Sequence, residues 1–313
     1  NDCKIAGSSL RSIIKKHGPF DFALRSHSSA NDRVCYSITG EDFSFDDKDH
    51  YSRSFAFFME AVNPRYAVPF ASNHCHLHKD VYDMNDLVND PFKLEAFLKN
   101  NGLLNNSELK IMLSGDSWSS KYGFNIDSSK RAYFDEKSKY IEKYKISVSD
   151  KLDAYYKLEN RIKPNSRFIK KFENQIKSIP KFFRSRLGDY KYKITLFNDK
   201  HSWSYLVYPK NGTVNSCSNL IDNGSEVKIP IKIFVDSVAM NMFHHSSISK
   251  RNKYIFADKS KLLQYERFQD LLEYVELEVF PIRTKYIFNL IIAYSRRWRE
   301  LIVYFQAYLL KRK

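Results

Sequence analysis

Three histidines at alternate positions carry the clearest chemical pattern in the sequence. His74, His76 and His78 follow residues 66–70, a short apolar segment that predicts a buried strand. Because alternate residues of an extended segment point the same way, two or three of these imidazoles can reach one ion. Imidazole nitrogen suits zinc and iron. We therefore predict a site for one or two Zn or Fe ions at this loop, and a polar loop rich in histidine by chance is the alternative.

Four further polar residues occupy positions that a site could use. His27 and Asp116 each follow a short apolar segment of the kind that forms a strand, and His244 and His245 end a predicted helix. We predict that these four bind substrate or support the metal ligands. The alternatives are an ordinary serine-rich loop around His27 and a histidine that stabilises the dipole of its own helix at position 244.

The elements around the histidine loops predict an α/β fold. Helix 10–17 leads to strand 20–24, and helix 51–62 leads to strand 66–70. A repeated order of helix, strand and polar loop is typical of α/β proteins, in which ligands gather at the carboxyl ends of the strands. Both histidine-bearing loops begin at such an end, so the fold would bring them to one edge.

The pattern changes near residue 190. Segments 192–197, 202–208 and 227–234 alternate apolar and polar residues, as half-buried strands do, and segment 259–276 predicts a helix. We therefore predict an α/β domain followed by a small α+β module. The predicted regions are 1–125 for the α/β domain, 126–190 for a basic helical connector and 191–313 for the α+β module.

The composition excludes several classes of protein. Apolar residues make up 43% and aromatic residues 15%, which is too much for a disordered chain. Only 4 cysteines are present and none forms a C-x-x-C pair, which excludes a disulfide scaffold, a cysteine-based zinc site and an iron–sulfur cluster. There is no P-loop and no G-x-G-x-x-G sequence, so we expect no nucleotide cofactor.

The charge predicts an anionic partner. The sequence holds 51 Lys and Arg against 36 Asp and Glu, a formal net charge of +15. No nucleic-acid-binding motif is present, so we expect an anionic small-molecule substrate and no nucleic acid. Basic residues are concentrated between 151 and 193, and a solvated basic face with no ligand is the alternative.

Neither a secretion signal nor a membrane span is predicted. The most apolar stretch, 286–294, runs into a segment with three arginines that a bilayer would not accept. The first residues lack the basic and apolar regions of a signal peptide, and they begin with Asn1. We expect a cytoplasmic protein with no membrane partner, and a chain that is processed or is a piece of a longer one.

Three segments carry a family resemblance. They are residues 1–3 (Asn-Asp-Cys), the helical residues 51–61, and residues 68–80, which contain Val-Pro-Phe-Ala-Ser and then His78. Together they resemble the metallo-β-lactamase-fold part of the CMP-N-acetylneuraminate hydroxylase-like proteins. The resemblance is closest from residue 51 to about residue 98.

The resemblance implies an αββα fold, here partial, and a metal centre with Asp2 and His78 among its ligands. It implies a metal-dependent hydrolase or oxygenase that acts on an anionic substrate, such as a sugar nucleotide or a phosphate-bearing compound. The family's H-x-H-x-D-H motif lies upstream of the Asp that matches Asp2, and it is missing from these 313 residues. The loop with His74, His76 and His78 does not replace it, because His78 stands where the motif has Asp and Lys79 where it has its last His.

The missing motif implies that the chain is the C-terminal portion of such a protein. Its activity would then depend on its own N-terminal half as a partner, joined covalently or as a separate chain. Two readings of other classes remain: a non-catalytic basic module that binds an anionic partner, and a degenerate remnant with a structural role only.

Overall fold

The structure is a computed structural model that describes residues 7–28, 32–41, 48–71, 74–217 and 224–281. It also describes residues 287, 288, 291, 292, 295, 298 and 302, all of them helical. The chain divides into two compact units. The first comprises Asn1–Asn31 and Phe45–Leu152, and the second comprises Asp32–Ser44 and Asp153–Lys313. Both units mix helices and strands, which confirms the α/β class.

The elements are numbered in chain order. The helices are α1 (Gly7–His17), α2 (Lys48–Val62), α3 (Pro91–Asn100), α4 (Ala132–Asp135), α5 (Lys137–Ser147), α6 (Ser149–Glu159), α7 (Ser166–Ser178), α8 (Lys181–Ser185), α9 (Ile231–Ala239) and α10 (Lys259–Glu276). The strands are β1 (Phe22–Arg25), β2 (Tyr36–Ile38), β3 (Tyr66–Pro69), β4 (Glu108–Leu109), β5 (Ser117–Ser119), β6 (Gly123–Asn125), β7 (Tyr192–Phe197), β8 (Ser202–Tyr208), β9 (Thr213–Ser216), β10 (Ser225–Pro230) and β11 (Lys253–Phe256).

The first unit is built on a parallel sheet of three strands in the order β1-β3-β4. Helix α2 supplies much of its core, because Phe55, Met59 and Val62 recur at the spacing that places side chains on one helix face. These side chains are buried together with Leu94 and Leu98 of α3. Packing of α2 and α3 in one core fixes where the loops after β1 and β3 begin.

The second unit contains a sheet of six strands in the order β2-β11-β10-β7-β8-β9. Strands β7 and β10 are parallel neighbours at its centre, and β8 and β9 continue it in antiparallel order. Aromatic side chains dominate this core: Phe172 contacts Phe234 and Phe243, and Tyr192 contacts Tyr265. Helices α7, α9 and α10 each have buried side chains along their own length.

Two predicted strands end earlier than the sequence pattern suggests. The strand predicted over 227–234 stops at Pro230, and α9 begins at Ile231. Proline lacks an N–H for the next ladder bond, and its fixed φ suits the start of a helix. The other is the short apolar segment before Asp116, residues 109–113, which is a strand only at its first residue because β4 ends at Leu109.

The basic connector predicted over 126–190 is not a separate body. Its residues up to Leu152 belong to the first unit and those from Asp153 onward belong to the second. The physical reason for the second part is the apolar face of α7, where Phe172 and Ile176 are buried in the core of the second unit. No helix in the described part of the chain is long and apolar enough to cross a membrane.

Candidate functional site

The loops after β1 and β3 leave the same edge of the first sheet. The two strands are parallel and in register, so Arg25 at the end of β1 lies opposite Pro69 at the end of β3. The first loop carries His27 and the second carries His74, His76 and His78. In parallel sheets the carboxyl edge is where ligands gather, so this edge is the first place to look for a site.

His27 is fully buried, and no hydrogen-bond partner for either ring nitrogen lies among the described residues. Burial lowers the pKa of His27 from 6.5 to about 4, although the nearby charge of Asp90 acts in the opposite direction. The imidazole is therefore neutral at pH 7. A neutral ring with a free nitrogen is the form of histidine that binds a metal ion or accepts a proton.

Asn89 fixes the backbone around His27. Its side-chain amide donates hydrogen bonds to the carbonyl oxygen of His27 at 3.0 Å and to Oγ of Ser52 at 3.1 Å. Its backbone N–H donates to Oγ of Ser28 at 2.9 Å. The next residue, Asp90, caps α3 by accepting from the first backbone N–H groups of that helix. The turn before α3 thus joins the helix to the His27 loop, a role that the sequence analysis did not assign.

The three histidines after β3 are partly buried. Ring centroids of His74 and His76 lie 5.0 Å apart with an interplanar angle of 89°. Asn85 holds the loop at His76, since its amide oxygen accepts the backbone N–H at 2.8 Å and its amide nitrogen donates to the carbonyl at 2.8 Å. The carbonyl of His78 accepts the N–H of Val81, which starts the next turn.

A complete metal site is not formed by the described residues. They contain no group of three or more His, Cys, Asp or Glu side chains that could hold a metal ion. His74, His76 and His78 are therefore not brought together as three ligands of one ion, while the prediction that two of them reach one ion stays a prediction. Asp2, the remaining predicted ligand, lies outside the described residues.

A cleft of about 300 Å³ opens beside the second histidine loop. His74 and Cys75 line one side, and aromatic side chains of α4 and α5 line the other. Lys137 closes part of it, donating to the carbonyl oxygens of Asn85 at 2.8 Å and of Val88 at 3.3 Å. Burial raises the pKa of Cys75 despite the charge of Lys137, so this residue is a neutral thiol and not a reactive thiolate.

Asp116 braces a loop of the first unit. Its carboxylate accepts hydrogen bonds from the backbone N–H groups of Leu113 at 2.8 Å and Asp127 at 3.2 Å, and from Nζ of Lys130 at 2.6 Å. Burial opposes its ionisation, but these hydrogen bonds outweigh burial and lower its pKa. The structure thus explains Asp116 as a loop brace, and its predicted role near substrate stays a prediction.

His244 and His245 belong to the second unit, in a 3-10 turn over His244–Ser249. Nδ1 of His245 lies 2.7 Å from a carboxylate oxygen of Glu276, and the backbone N–H of His244 donates to the other oxygen. Nδ1 of His244 is buried with no partner among the described residues. Glu276 therefore orients both residues, and their predicted role with substrate stays a prediction.

Comparison of the chain with protein-family models, with curated proteins and with solved structures finds no match. The function is therefore inferred from the geometry of the chain itself.

Proposed function

We propose that the chain is the C-terminal portion of a metal-dependent hydrolase or oxygenase of the metallo-β-lactamase αββα type. In this proposal the carboxyl edge of the first sheet is the part of the centre that the chain contributes, and the substrate is a small anionic molecule. One observation carries the proposal: His27 is a buried, neutral imidazole with no hydrogen-bond partner among the described residues.

An unsatisfied buried imidazole is unusual for a purely structural residue. Burying a polar group without a partner costs on the order of 1 to 3 kcal/mol, so buried polar groups are nearly always paired. An apolar residue could fill the same space without that cost. The position of His27 at the carboxyl edge of a parallel sheet favours a ligand-binding role over a packing role.

The contacts of Asn89 support this role. Ligand-binding histidines need their backbone held so that the ring keeps one orientation. Asn89 provides this hold through the carbonyl of His27 and Oγ of Ser28, and it leaves both ring nitrogens available. His78, His74 and His76 lie in the neighbouring loop, and further ligands would come from outside the described residues, Asp2 among them. A bound Zn or Fe ion would lower the pKa of a water molecule or activate dioxygen.

The charge of the chain supports an anionic substrate. A net charge of +15 attracts anions toward the protein from solution. Arg25 ends β1 two residues before His27, and its guanidinium lies 4.5 Å from the ring centroid of Phe58. Burial lowers the pKa of Arg25, but a guanidinium remains charged in proteins. A cation thus stands at the same strand end as His27.

Cobalt binding tests the proposal. Co²⁺ is added to the purified chain and to the variants His27→Gln and His78→Ala, and the visible absorption of the bound ion is followed. With the natural chain we expect the absorption spectrum of Co²⁺ bound by histidine. In both variants the affinity for cobalt should fall at least about tenfold, since replacing a metal ligand or a residue that supports one has an effect of this size. His201→Gln is the matched control, because His201 is an exposed residue of the second unit just before β8, with its ring stacked against Trp203.

Two results would contradict the proposal. One is that the natural chain takes up no more cobalt than the double variant His27→Gln/His78→Ala does. The other is an equal affinity in all variants, which would place the bound ion elsewhere on the chain. Circular dichroism of each variant separates loss of the ligand from loss of the fold.

A further inference from the structure

Four cations form a stripe on α7 and the start of α8, here called the basic stripe: Arg167, Lys170, Lys177 and Lys181. Arg167, Lys170 and Lys177, with Asn174 between the last two, recur at intervals of three and four residues, the spacing that keeps side chains on one face of a helix. Lys181 follows at the start of α8, after α7 ends at Ser178. All four are exposed. The stripe therefore presents a row of positive charge to solvent.

The packing of α7 fixes the direction of the stripe. Phe172, Gln175 and Ile176 are buried on the opposite face, and the ring of Phe172 lies 4.4 Å from that of Phe243. Rotating the helix would expose these side chains, so the cations stay on the outside. The basic stripe is thus a fixed feature of the second unit.

The basic stripe differs from other exposed lysines of the chain in its ion pairing. No carboxylate among the described residues forms an ion pair with Arg167, Lys170, Lys177 or Lys181, whereas Lys139 pairs with Glu136 at 2.5 Å and Lys145 pairs with Glu142 at 3.6 Å. The acidic residue of α7, Glu173, is engaged with the backbone N–H of Val214 at 2.8 Å. Arg167 and Lys170 are like charges three residues apart on one helix, which destabilises it slightly, and an external anion would relieve their repulsion.

An exposed aromatic ring stands next to the stripe. Phe182 follows Lys181 directly, and 60% of its surface is exposed. The guanidinium of Arg186 lies 4.3 Å from its ring centroid. Base stacking on an aromatic ring, with an arginine beside it, is how many proteins hold single-stranded nucleic acid without reading its sequence.

We infer that the basic stripe and Phe182 bind a single-stranded nucleic acid through its phosphodiester backbone and one stacked base. From Arg167 to Lys177 the helix rises about 15 Å, which spans roughly four phosphates at the rise of one strand. A linear row of cations fits a linear polyanion better than it fits a compact one. Binding of this kind needs no sequence motif, so it is compatible with the absence of one.

Fluorescence anisotropy with a labelled oligothymidylate of about a dozen nucleotides tests the inference. With about four phosphates neutralised, we expect the affinity of the whole chain to fall about fiftyfold between about 50 and about 200 mM salt. Changing all four stripe residues to Ala should remove most of this salt dependence. Phe182→Ala should weaken binding about tenfold and leave the salt dependence unchanged, because stacking is not ionic.

A matched control removes the same charge elsewhere. Lys121, Lys143, Lys151 and Lys157 are exposed lysines outside the stripe, and their combined change to Ala should keep most of the affinity. An equal loss in the control would overturn the inference, since net charge alone would then explain binding. Two other results would also overturn it: an affinity for polyglutamate equal to that for the oligonucleotide, and binding to anionic vesicles without binding to the oligonucleotide. Metal binding at His27 plays no part in this test.

Discussion

Two buried polar groups, one in each unit, are held in opposite ways. In the second unit Arg251 and Glu159 form a bidentate ion pair with distances of 3.1 and 3.0 Å, and their side chains are only 4% and 3% exposed. The hydroxyl of Tyr155 accepts a further bond from Arg251 at 3.2 Å. In the first unit His27 is just as buried, but its ring has no partner among the described residues.

The difference separates a structural polar group from a candidate functional one. A buried charge is tolerated when every donor meets an acceptor, and the Arg251–Glu159 pair approaches that condition. Among the described residues no side chain or backbone group bonds the His27 ring, although Asn89 holds the backbone around it. The Arg251–Glu159 pair thus contributes to the fold of the second unit, whereas the ring nitrogens of His27 have no hydrogen-bond partner among the described residues at a sheet edge of the first.

Breaking the ion pair should have the largest effect. Glu159→Leu leaves the guanidinium of Arg251 buried without its carboxylate, which should cost about 3 to 5 kcal/mol in free energy of unfolding. Urea denaturation followed by circular dichroism measures it. The double variant Glu159→Leu/Arg251→Met should recover most of the loss, because an apolar pair needs no partner. A single variant as stable as the natural chain would show that the pair is not buried in solution.

Acid should destabilise the first unit through His27. Its pKa is about 4 in the folded chain and 6.5 when exposed, so between these values the unfolded chain binds a proton that the folded chain refuses. Stability is therefore full above pH 6.5 and falls by about 3 kcal/mol as the pH drops to 4. The free energy of unfolding of the natural chain and of His27→Leu is measured across this pH range with a chelator present. The difference between the two pH profiles is the contribution of His27. Parallel profiles would mean that His27 is already protonated or solvated.

Removing the support of His27 should have a smaller effect. Asn89→Ala deletes the amide that bonds the His27 carbonyl and Oγ of Ser52, and should cost about 1 to 3 kcal/mol. Because the ring orientation is then free, cobalt affinity should also fall. Asn101→Ala is a suitable control, since the side chain of Asn101 bonds an exposed carbonyl at the end of α3. If Asn89→Ala lost stability and kept full cobalt binding, its role would be structural only.

Much of the fold could be predicted from the sequence where local pattern and tertiary packing agree. Strands 192–197 and 202–208 and helix 259–276 match β7, β8 and α10 residue for residue. The strand prediction over 227–234 is wrong past Pro230 because the apolar residues 231–234 suit either a buried strand or a buried helix. Periodicity alone does not separate these two cases over so few residues.

The site could be predicted only in part. The alternation of His74, His76 and His78 found the loop, but it could not show that Asn85 clamps that loop from nine residues away. The sequence favoured His74, His76 and His78 over His27, because a lone histidine in a serine-rich loop usually belongs to an ordinary loop. The residue that bonds the backbone carbonyl of His27, Asn89, is 62 positions away in the sequence. Contacts at that distance leave no local pattern.

Replacing His27 itself should have the smallest effect on stability and so sharpens the contrast between the units. His27→Leu keeps much of the side-chain volume and removes two nitrogen atoms that make no hydrogen bond among the described residues. Because no bond is lost and the burial cost of two unpaired nitrogens is removed, any loss in the free energy of unfolding at pH 7 should stay below about 1.5 kcal/mol, and a gain is the expected direction. Arg251→Leu, the corresponding change in the second unit, should cost at least twice as much because it leaves Glu159 buried and unpaired. Comparable losses in the two variants, measured by urea denaturation with a chelator present, would show that His27 contributes to the fold as the ion pair does, and would remove the main reason for assigning it a ligand.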